Sequence, residues 1–561
     1  MPRLIATQWL APRVGCAAAV LLVIAPLPGI AAVLHVPADY PTIAAAVAAA
    51  TSTDEVHVGP GVYTERLDLS SRRLTLRATA GPAFTTIDGE GLGTVITWTN
   101  AVSGSVLEGF QIINGRGAPG AAGQPTSGFQ NGAAGRAGGL RASGVLVVRN
   151  CVFMNNVGGA GGDGADSIVG QFDAGHGGTG GAGAVSADGP DFFGRIYYCT
   201  FYNNSGGRGG AAGRGHVLES QPGLAGLAGP GALAMSGPTP TPTLCSFLAN
   251  FGGTGGRGAD ASQYFNLASQ AGMGGSGGAG AVAMYGGQPT LANCLFARNQ
   301  GGSGGEGGAG ATPDGGSAVP GAIGGSGGAG VISTSTALTT RSCTLVENAG
   351  GTGGTGGAMG GGAGSNGPST ALALSSHSIR NTVFHLNAGP QFAGSMPIGS
   401  NCASDFVLVG GANVAFAGEF VHGYRPGPGS PLIDRGHVFD LPMDTLDVDG
   451  DFLTGESLPV DLAGISRRID DPAVADTGVG PPPMPDIGAY ERLPTFTVTA
   501  GDMNCDGRFD NYDIDVFVLA LVQPVVYGHV HRNCSLLAGD FDADGALTNF
   551  DIDAFVAALL E

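Results

Sequence analysis

Apolar and polar residues alternate in short segments along most of the chain, and six segments share the pattern Cys-x-Phe-x-x-Asn. The first copy covers residues 151–156. Later copies begin at Cys199, Cys245, Cys294 and Cys343, and these cysteines are 46 to 49 residues apart. A sixth copy begins at Thr382, with Thr in place of Cys. Residues i and i+2 of a strand point to the same side, so each Cys and Phe predict the buried face of a short strand.

The asparagine that ends each copy predicts a turn, because Asn tolerates the left-handed backbone conformation of sharp turns. A strand, a turn and a repeated inward face describe one coil of a parallel β-helix, whose coils bury their apolar faces only against their neighbours. We therefore expect Cys199, Cys245 and Cys294 to stack in one buried column, the phenylalanines in another and the asparagines in a ladder. Cross-coil disulfides and a metal site are the alternatives, although the CxxC spacing of zinc sites is absent.

The segment before these repeats predicts simpler coils. Residues 39–50 form an alanine-rich helix that would cap the open end of the stack. Short alternating segments then follow about every 20 residues, at 55–65, 74–78, 86–89 and 107–115.

Glycine-rich arms, within residues 115–367, account for the greater length of the later repeats. The chain has 105 glycines among 561 residues, about 19% against a usual ~7%. Blocks such as 252–258 and 274–280 leave one coil and return to the next in a GGx period. They are either flexible linkers or an ordered bundle of polyproline-II-type segments, which have three residues per turn. We favour the bundle, since several long disordered loops in one domain carry a large entropic cost.

Charge separates a second region from this body. The chain has 24 Lys+Arg, all arginine, and 44 Asp+Glu, a net charge of −20, which is unfavourable for nucleic-acid binding. Residues 501–561 hold 2 Arg and 11 acids. At the other end, Arg3 and Arg13 precede an apolar run at 14–25 that is too short for a membrane span. We read 1–32 as a bacterial signal peptide and expect a secreted protein without a membrane span.

Two loops near the C-terminus have the oxygen-ligand spacing of EF-hand calcium sites, with Gly at position 6 for the sharp turn. Each leads into a helix with an apolar stripe, and the two units lie 38 residues apart. We expect Ca²⁺ as the only cofactor. The predicted ligands, which include the backbone carbonyls of Arg508 and Ala546, are Asp502, Asn504, Asp506, Arg508, Asp510, Asp513, Asp540, Asp542, Asp544, Ala546, Thr548 and Asp551.

Two segments are similar to those of the pectin-lyase-like family. One is the opening at 40–65. The other is the ending, in which Pro428-Gly429-Ser430-Pro431 leads into 432–436 and is followed by 485–491. This resemblance covers 34–492 and implies an all-β fold, a right-handed parallel β-helix solenoid. We place this domain at 33–492, with a closing region at 388–492 and a linker at 493–500.

Residues 501–561 resemble type I dockerin modules, which tether secreted enzymes to cohesin partners. The resemblance implies a cohesin-like or cell-surface protein as partner. The stretch between the loops is longer than in dockerins and contains Cys534, which we pair with Cys505 because the chain is exported to an oxidising space. Asn511-Tyr512 and Asn549-Phe550 stand where dockerins often carry Ser or Thr for partner recognition.

Candidate catalytic groups are few. His176 lies inside a glycine arm, Arg380 is without acids near it in sequence, and Asp470 and Asp471 would face opposite ways on a strand. A further acidic group is either a calcium loop or a solvated surface; it comprises Asp444, Asp447, Asp449, Asp451 and Glu456.

Two classes of function remain. The first is a non-catalytic extracellular scaffold or adhesin that binds carbohydrate or a cell surface through loop tips such as Tyr264-Phe265 and Phe172. The alternative is a polysaccharide-degrading enzyme, pectate lyase-like or a glycoside hydrolase. Convergence of acidic and basic groups on one coil face would favour the enzyme.

Overall fold

The computed structural model describes residues 31–560 except for short gaps. The gaps are 126–130, 168–172, 188–193, 217–220, 238–240, 265–266, 314–316, 374–376, 394–397, 419, 449–452, 493–499, 505–507, 523–526, 528–530, 532–533, 535 and 543–546. Residues 1–30 of the predicted signal peptide therefore lie outside the described residues. Within them, no helix has the length and hydropathy needed to cross a membrane.

The chain winds into a parallel β-helix in which successive coils add one strand to each of two long parallel sheets, and four later coils also add one to a shorter third sheet. The first sheet contains, in spatial order, Val33–Val36, Glu55–Val58, Thr75–Ala78, Ile96–Glu108, Leu140–Arg149, Val185–Ala187, Leu233–Ser236, Val282–Tyr285, Ile332–Thr334, Ala371–Ala373 and Phe392–Ala393. Leu67–Asp68 pairs with Ile96–Glu108, and Arg195–Tyr197 pairs with Leu140–Arg149.

The second sheet carries the Cys-x-Phe segments. Its strands are Gly61–Tyr63, Thr85–Asp88, Gln111–Ile113, Val152–Met154, Thr200–Tyr202, Ser246–Leu248, Leu295–Ala297, Thr344–Val346, Val383–His385, Ala403–Ser404 and Val414–Ala415. The third sheet comprises Thr290–Ala292, Thr339–Arg341, Ser378–Arg380 and Ile398–Ser400. Two antiparallel pairs complete the described strands: Gln263–Tyr264 with Leu267–Ala268, and Phe420–Val421 with Arg425–Pro426.

Helices occur at both ends of the described chain. The cap helix, Ile43–Ala49, is shorter than the predicted 39–50; Thr42 caps it, and the Glu65 carboxylate accepts the N–H groups of Ile43 and Ala44. The acidic module has α-helices at Asp513–Val522 and Ile552–Leu559. Short 3₁₀ turns lie at His422–Tyr424, Val438–Asp440 and Leu536–Gly539.

Two side-chain columns fill the interior of the coils, as predicted. The rings of Phe153, Phe201, Phe247 and Phe296 stack in order, with centroids 5.3, 4.7 and 4.8 Å apart. The cysteine column is buried, and all its thiols are free: Cys151, Cys199, Cys245, Cys294, Cys343 and Cys402. Cross-coil disulfides are therefore wrong for these residues. Cys402 extends the column beyond the coil of Thr382, a member that the sequence pattern missed.

The asparagine ladder is also confirmed. Oδ1 of Asn204 accepts hydrogen bonds from the backbone N–H and the Nδ2 of Asn156, at 3.0 and 3.1 Å. The same pair of bonds continues from coil to coil through Asn250, Asn299 and Asn348 to Asn387. Buried amides are satisfied in this way without water.

The expected backbone conformation of these asparagines was wrong. The residue before each ladder asparagine has the positive φ, with values from 49° to 57°: Asn155, Asn203, Ala249, Arg298, Glu347 and Leu386. The left-handed turn is therefore made by residues of several types. The side chain of the following Asn is instead needed for the ladder.

The glycine arms form a hydrogen-bonded bundle that leaves the stack at one turn. Gly158, Gly161 and Gly164 donate N–H bonds to the carbonyl oxygens of the next outgoing arm, at 2.8–2.9 Å. Gly159 donates to Arg136 of a returning arm at 2.8 Å. The three-residue period is that of polyproline-II segments. The interpretation of the arms as an ordered bundle is therefore confirmed, and their interpretation as flexible linkers is not.

The closing region folds back over the outer face of the second sheet. Leu295 and Val346 point out of the coil, yet both are buried in a cluster with Leu458, Leu462 and Ala489. At an earlier coil, outward-facing Val152 belongs to the apolar cluster of the acidic module. Much of this sheet is thus covered by the chain's own C-terminal part.

Candidate functional sites

The two loops of the acidic module have matching local structure. In the first loop, Oδ1 of Asp513 accepts the N–H groups of Met503 and Asn504 at 2.8 and 3.0 Å. In the second, Oδ1 of Asp551 accepts those of Phe541 and Asp542 at 2.7 and 3.1 Å. The carboxylates of Asp513 and Asp551, the last ligand position of each loop, are both fully buried. The sequence repeat of 38 residues is therefore a structural repeat.

The other predicted ligands surround these two carboxylates. In the first loop Asp502 is buried, Asn504 and Asp510 are half-buried and Arg508 is exposed; in the second, Asp540 and Thr548 are half-buried and Asp542 is exposed. Asp506, Asp544 and Ala546 lie outside the described residues. Carboxylate oxygens of Asp540, Asp542 and Asp551 lie within 4.8 Å of one another. Burial would raise the pKa of Asp551, but N–H donors from Thr548, Asp542 and Phe541 lower it below the ordinary value.

The helices behind the loops share one small core. Phe517 and Phe555 stack with their ring centroids 3.9 Å apart. Tyr527 is fully buried and donates its hydroxyl to the Met503 carbonyl at 3.1 Å. Cys534 is in a disulfide; its predicted partner, Cys505, lies outside the described residues.

The bundle has two exposed faces of different character. The outgoing arms carry charge: Arg257 pairs with Asp260 at 2.6 Å and with Glu306 at 3.3 Å. Three adjacent returning arms carry an apolar row, each residue half or more exposed: Leu224, Leu227, Met273 and Ile323. Exposed apolar residues in such a group mark an interaction surface more often than isolated ones do.

The predicted aromatic tips are only partly within the described residues. Gln263–Tyr264 and Leu267–Ala268 pair as a hairpin at the end of one arm. Phe265 and Phe172, the predicted aromatic residues of two loops, lie outside the described residues. The position of this hairpin between two arms agrees with the predicted tip, whereas its side-chain contacts stay a prediction.

His176 is a bundle residue, as its place in an arm predicted. Its ring Nδ1 accepts the backbone N–H of Leu224 at 2.8 Å, and the backbone N–H of His176 donates to Oδ1 of Asn131. An acid or base role for this ring would require breaking a contact that joins two arms.

The expectation that Arg380 lacks acids nearby was wrong. Its Nε lies 3.6 Å from Oδ2 of Asp440, and Nη1 of Arg341 lies 3.7 Å from Oδ1 of the same residue. The two arginines are register partners on the third sheet. His437 also faces Asp440, at 3.7 Å. Asp440 comes from the closing region, so sequence proximity could not reveal the group.

Two of the remaining acidic candidates, Asp444 and Asp471, have structural partners. Asp444 is fully buried and accepts the N–H groups of Leu446 and Val448, so it is not a solvated residue. Asp470 and Asp471 are not on a strand; Asp471 is buried against Arg492 at 3.2 Å, whereas Asp470 is exposed. Asp449 and Asp451 lie outside the described residues.

A buried ionic network closes the β-helix and was not predicted. Arg467 and Glu491 form an ion pair at 3.1 Å with both side chains almost fully buried. Burial raises the pKa of Glu491, although Arg467 opposes this. Burial likewise raises the pKa of Asp486 to about 7, despite N–H donors from Asp434 and Arg492. These acids hold backbone N–H groups and thereby fix the loops of the closing region.

Comparisons with known proteins do not assign the chain to a family. No family model matches the chain. No curated protein matches it either. Among solved structures, a crystal structure of pectate lyase Pel9A aligns with 80% of this chain and 91% of its own, at 11% identity and a TM-score of 0.30. The parallel sheets themselves establish that the chain is a parallel β-helix protein, and no functional argument rests on this alignment.

Proposed function

We propose that the chain is a secreted extracellular scaffold or adhesin whose glycine bundle presents a binding surface to carbohydrate or to a cell-surface partner. The observation that carries this proposal is the apolar row on three adjacent returning arms. An ordered bundle holds these side chains in fixed positions, so binding would cost little conformational entropy. The hairpin tip at Gln263–Tyr264 extends from the same bundle.

Coverage of the second sheet supports a non-catalytic role. A solvent-exposed groove along this sheet is blocked where Val152, Leu295 and Val346 are buried by the C-terminal parts of the chain. Side chains that face outwards there pack against the C-terminal parts of the chain instead of facing solvent.

A binding assay tests the proposal directly. The full chain is applied to a panel of plant and algal polysaccharides and to bacterial cell surfaces, in calcium. We expect that changing Leu224, Leu227 and Ile323 to Ser lowers the binding affinity at least about tenfold. That change corresponds to roughly 1.4 kcal/mol of binding free energy. Thr254→Ser, at an exposed position of an outgoing arm, is the control. Unchanged binding by the triple variant would contradict this assignment of the surface.

The acidic module, in this proposal, is a calcium-folded tether. Asp502, Asn504, Asp510 and Asp513 would hold one ion, and Asp540, Asp542, Thr548 and Asp551 a second. Each set consists of oxygen donors, the ligands that Ca²⁺ takes. Bound calcium would offset repulsion among the acids of each loop and fix the loop against its helix. The partner that we propose is a cohesin-like or cell-surface protein.

Calcium binding by the module is tested on the full chain by hydrogen exchange with mass spectrometry. We expect calcium to slow exchange in peptides from 501–561, and Asp502→Ala with Asp540→Ala to abolish that change. Asp515→Asn with Asp553→Asn removes two exposed acids outside the loops and should keep the response. An identical exchange pattern in calcium and in chelator would refute the calcium proposal.

Polysaccharide cleavage is the second candidate, favoured by the group at Arg341, Arg380, His437 and Asp440. Two arginines in register would bind an acidic sugar, and His437 or Asp440 would accept a proton. If this candidate is right, Arg380→Ala abolishes release of unsaturated or reducing ends from a polyuronate while binding through the bundle persists. An inactive parent chain across the polysaccharide panel would exclude it for those substrates.

A further inference from the structure

Three acids from two segments of the closing region converge, outside the loops of the acidic module. They are Asp434, Asp470 and Asp476, here called the closing triad. One carboxylate oxygen of each lies within 4.8 Å of those of the other two. Asp434 is fully buried, whereas Asp470 and Asp476 are exposed. The triad is therefore open to solvent on one side and enclosed on the other.

The buried member of the triad has an oxygen without a hydrogen-bond partner. Oδ2 of Asp434 accepts the N–H of Asp471 at 3.2 Å. Its Oδ1 is also buried, and no donor among the described residues reaches it. A buried polar atom left unsatisfied costs about 1–3 kcal/mol, and more when it is charged. Such an oxygen requires a water or an ion.

The surrounding charges do not neutralise the triad. Arg492 pairs with Asp471, and Arg467 pairs with Glu491. Among the described residues, no ion pair reaches a member of the triad. The Met484 N–H donates to Oδ1 of Asp476 at 3.3 Å. Burial, opposed by the Asp471 N–H and reinforced by the charges of Asp476, Asp470 and Asp471, raises the pKa of Asp434 to about 6.

We propose that the closing triad binds a divalent cation, with Ca²⁺ as the preferred ion. A cation would satisfy the unpaired oxygen of Asp434 and remove the repulsion among three carboxylates. Three carboxylates drawn from two segments suit Ca²⁺, which takes 6–8 oxygens in flexible geometry, whereas Mg²⁺ usually binds one or two carboxylates in a strict octahedron. Water can complete the coordination from the open side.

Such an ion would join the chain at Asp434 to the loop at 470–476. The backbone carbonyl of Asp434 already accepts the N–H groups of Thr477 and Gly478 at 3.0 and 3.1 Å. The ion would lock this contact, so the closing region of the β-helix, in addition to the module, would depend on calcium.

The first test counts calcium ions on the full chain by equilibrium dialysis and elemental analysis. Asp470→Asn with Asp476→Asn is used because both residues are exposed, whereas a change at buried Asp434 could prevent folding. We expect this double variant to bind one calcium ion fewer per chain than its parent. Asp515→Asn with Asp553→Asn removes the same charge elsewhere and should keep the count.

The same comparison is repeated in a chain that carries Asp502→Ala and Asp540→Ala. Loss of one ion on changing the triad is expected there too, so failure of the module's loops to bind calcium would not affect the result. A second measurement follows hydrogen exchange in peptides covering 430–436 and 470–478, which should slow in calcium. Equal calcium counts for parent and triad variant, or exchange in these peptides that does not respond to calcium, would overturn the proposal.

Discussion

The coil stack and the glycine bundle belong to the same repeats but are stabilised in opposite ways. In the stack, the interior is filled by side chains, with Phe247 stacked between Phe201 and Phe296 at 4.7 and 4.8 Å. In the bundle, a Cβ atom at Gly253 or Gly256 would collide with a backbone carbonyl oxygen of a neighbouring arm. One region requires large side chains, and the other requires that there be none.

The difference shows how a chain with few charges and much glycine can form both ordered coils and ordered arms. Burial of apolar side chains drives folding of the coils. The arms bury little apolar area. Their order depends on N–H to carbonyl hydrogen bonds between neighbouring arms, which must offset the high conformational entropy that glycine loses on ordering. The bundle therefore needs the stack, which fixes where each arm begins and ends.

Bulky residues in the bundle should have the largest effect. Changing Gly253, Gly256, Gly275 and Gly278 together to Val should prevent recovery of folded protein, because each side chain would meet backbone that cannot move aside. Overpacking costs about 1–3 kcal/mol per site, even where neighbours adjust. Soluble yield and thermal unfolding measure the outcome. Thr254→Leu and Met273→Phe, at exposed positions of the same arms, should fold normally.

Removing one ring from the stack should be nearly as costly. Phe247→Ala should lower the free energy of unfolding by about 3–5 kcal/mol, the usual cost of emptying a buried aromatic site. Phe251→Ala changes a ring in the same coil that is 40% exposed and should cost less than about 1 kcal/mol. Chemical denaturation of both variants decides whether the column, or aromatic content alone, stabilises the coils.

A break in the asparagine ladder should have an intermediate effect. Asn250→Ala removes the acceptor for two donors of Asn204 and the donor to the Phe201 carbonyl. We expect a loss of about 1–3 kcal/mol, because these groups stay buried. Asn366→Ala, at an exposed position in an arm, is the control. It should change the free energy of unfolding by no more than about 0.5 kcal/mol. Equal losses for the two variants would show that the ladder itself contributes nothing.

The smallest effect concerns reactivity. Burial raises the pKa of the Cys199 thiol well above its ordinary value, so little thiolate is present near neutral pH. The six free cysteines should react with an alkylating reagent only after denaturation, as shown by intact mass. Labelling of Cys199 in the native protein at the rate of a free thiol would contradict the assigned coil register.

The repeating features were predictable from sequence because the period repeats them. The cysteine column, the phenylalanine stack, the ladder at Asn204 and the ordered arms each recur in several copies, so chance agreement was improbable. The paired module helices were predictable for the same reason. Local propensity was a poorer guide: the left-handed residue is Ala249 in one coil and Glu347 in another.

Features formed once, by residues distant in sequence, could not be predicted. Arg380 meets Asp440 only because the closing region folds back over the coils. The same holds for Arg467 with Glu491 and for the closing triad. Adjacent acids at Asp470 and Asp471 gave a signal in the sequence, but their separation into an exposed and a buried residue depends on Arg492 and Asp434.

Repetition along one axis also gives the molecule a natural unit of length. Each coil with its two arms contacts chiefly the coil before and the coil after, and adjacent strands are about 4.8 Å apart. Duplicating one segment of the size that separates Cys245 from Cys294 would lengthen the molecule by that step and add one returning arm to the apolar row. Deleting one would shorten it equally. The extent of the surface could therefore change in whole steps by recombination within the gene, without redesign of either end.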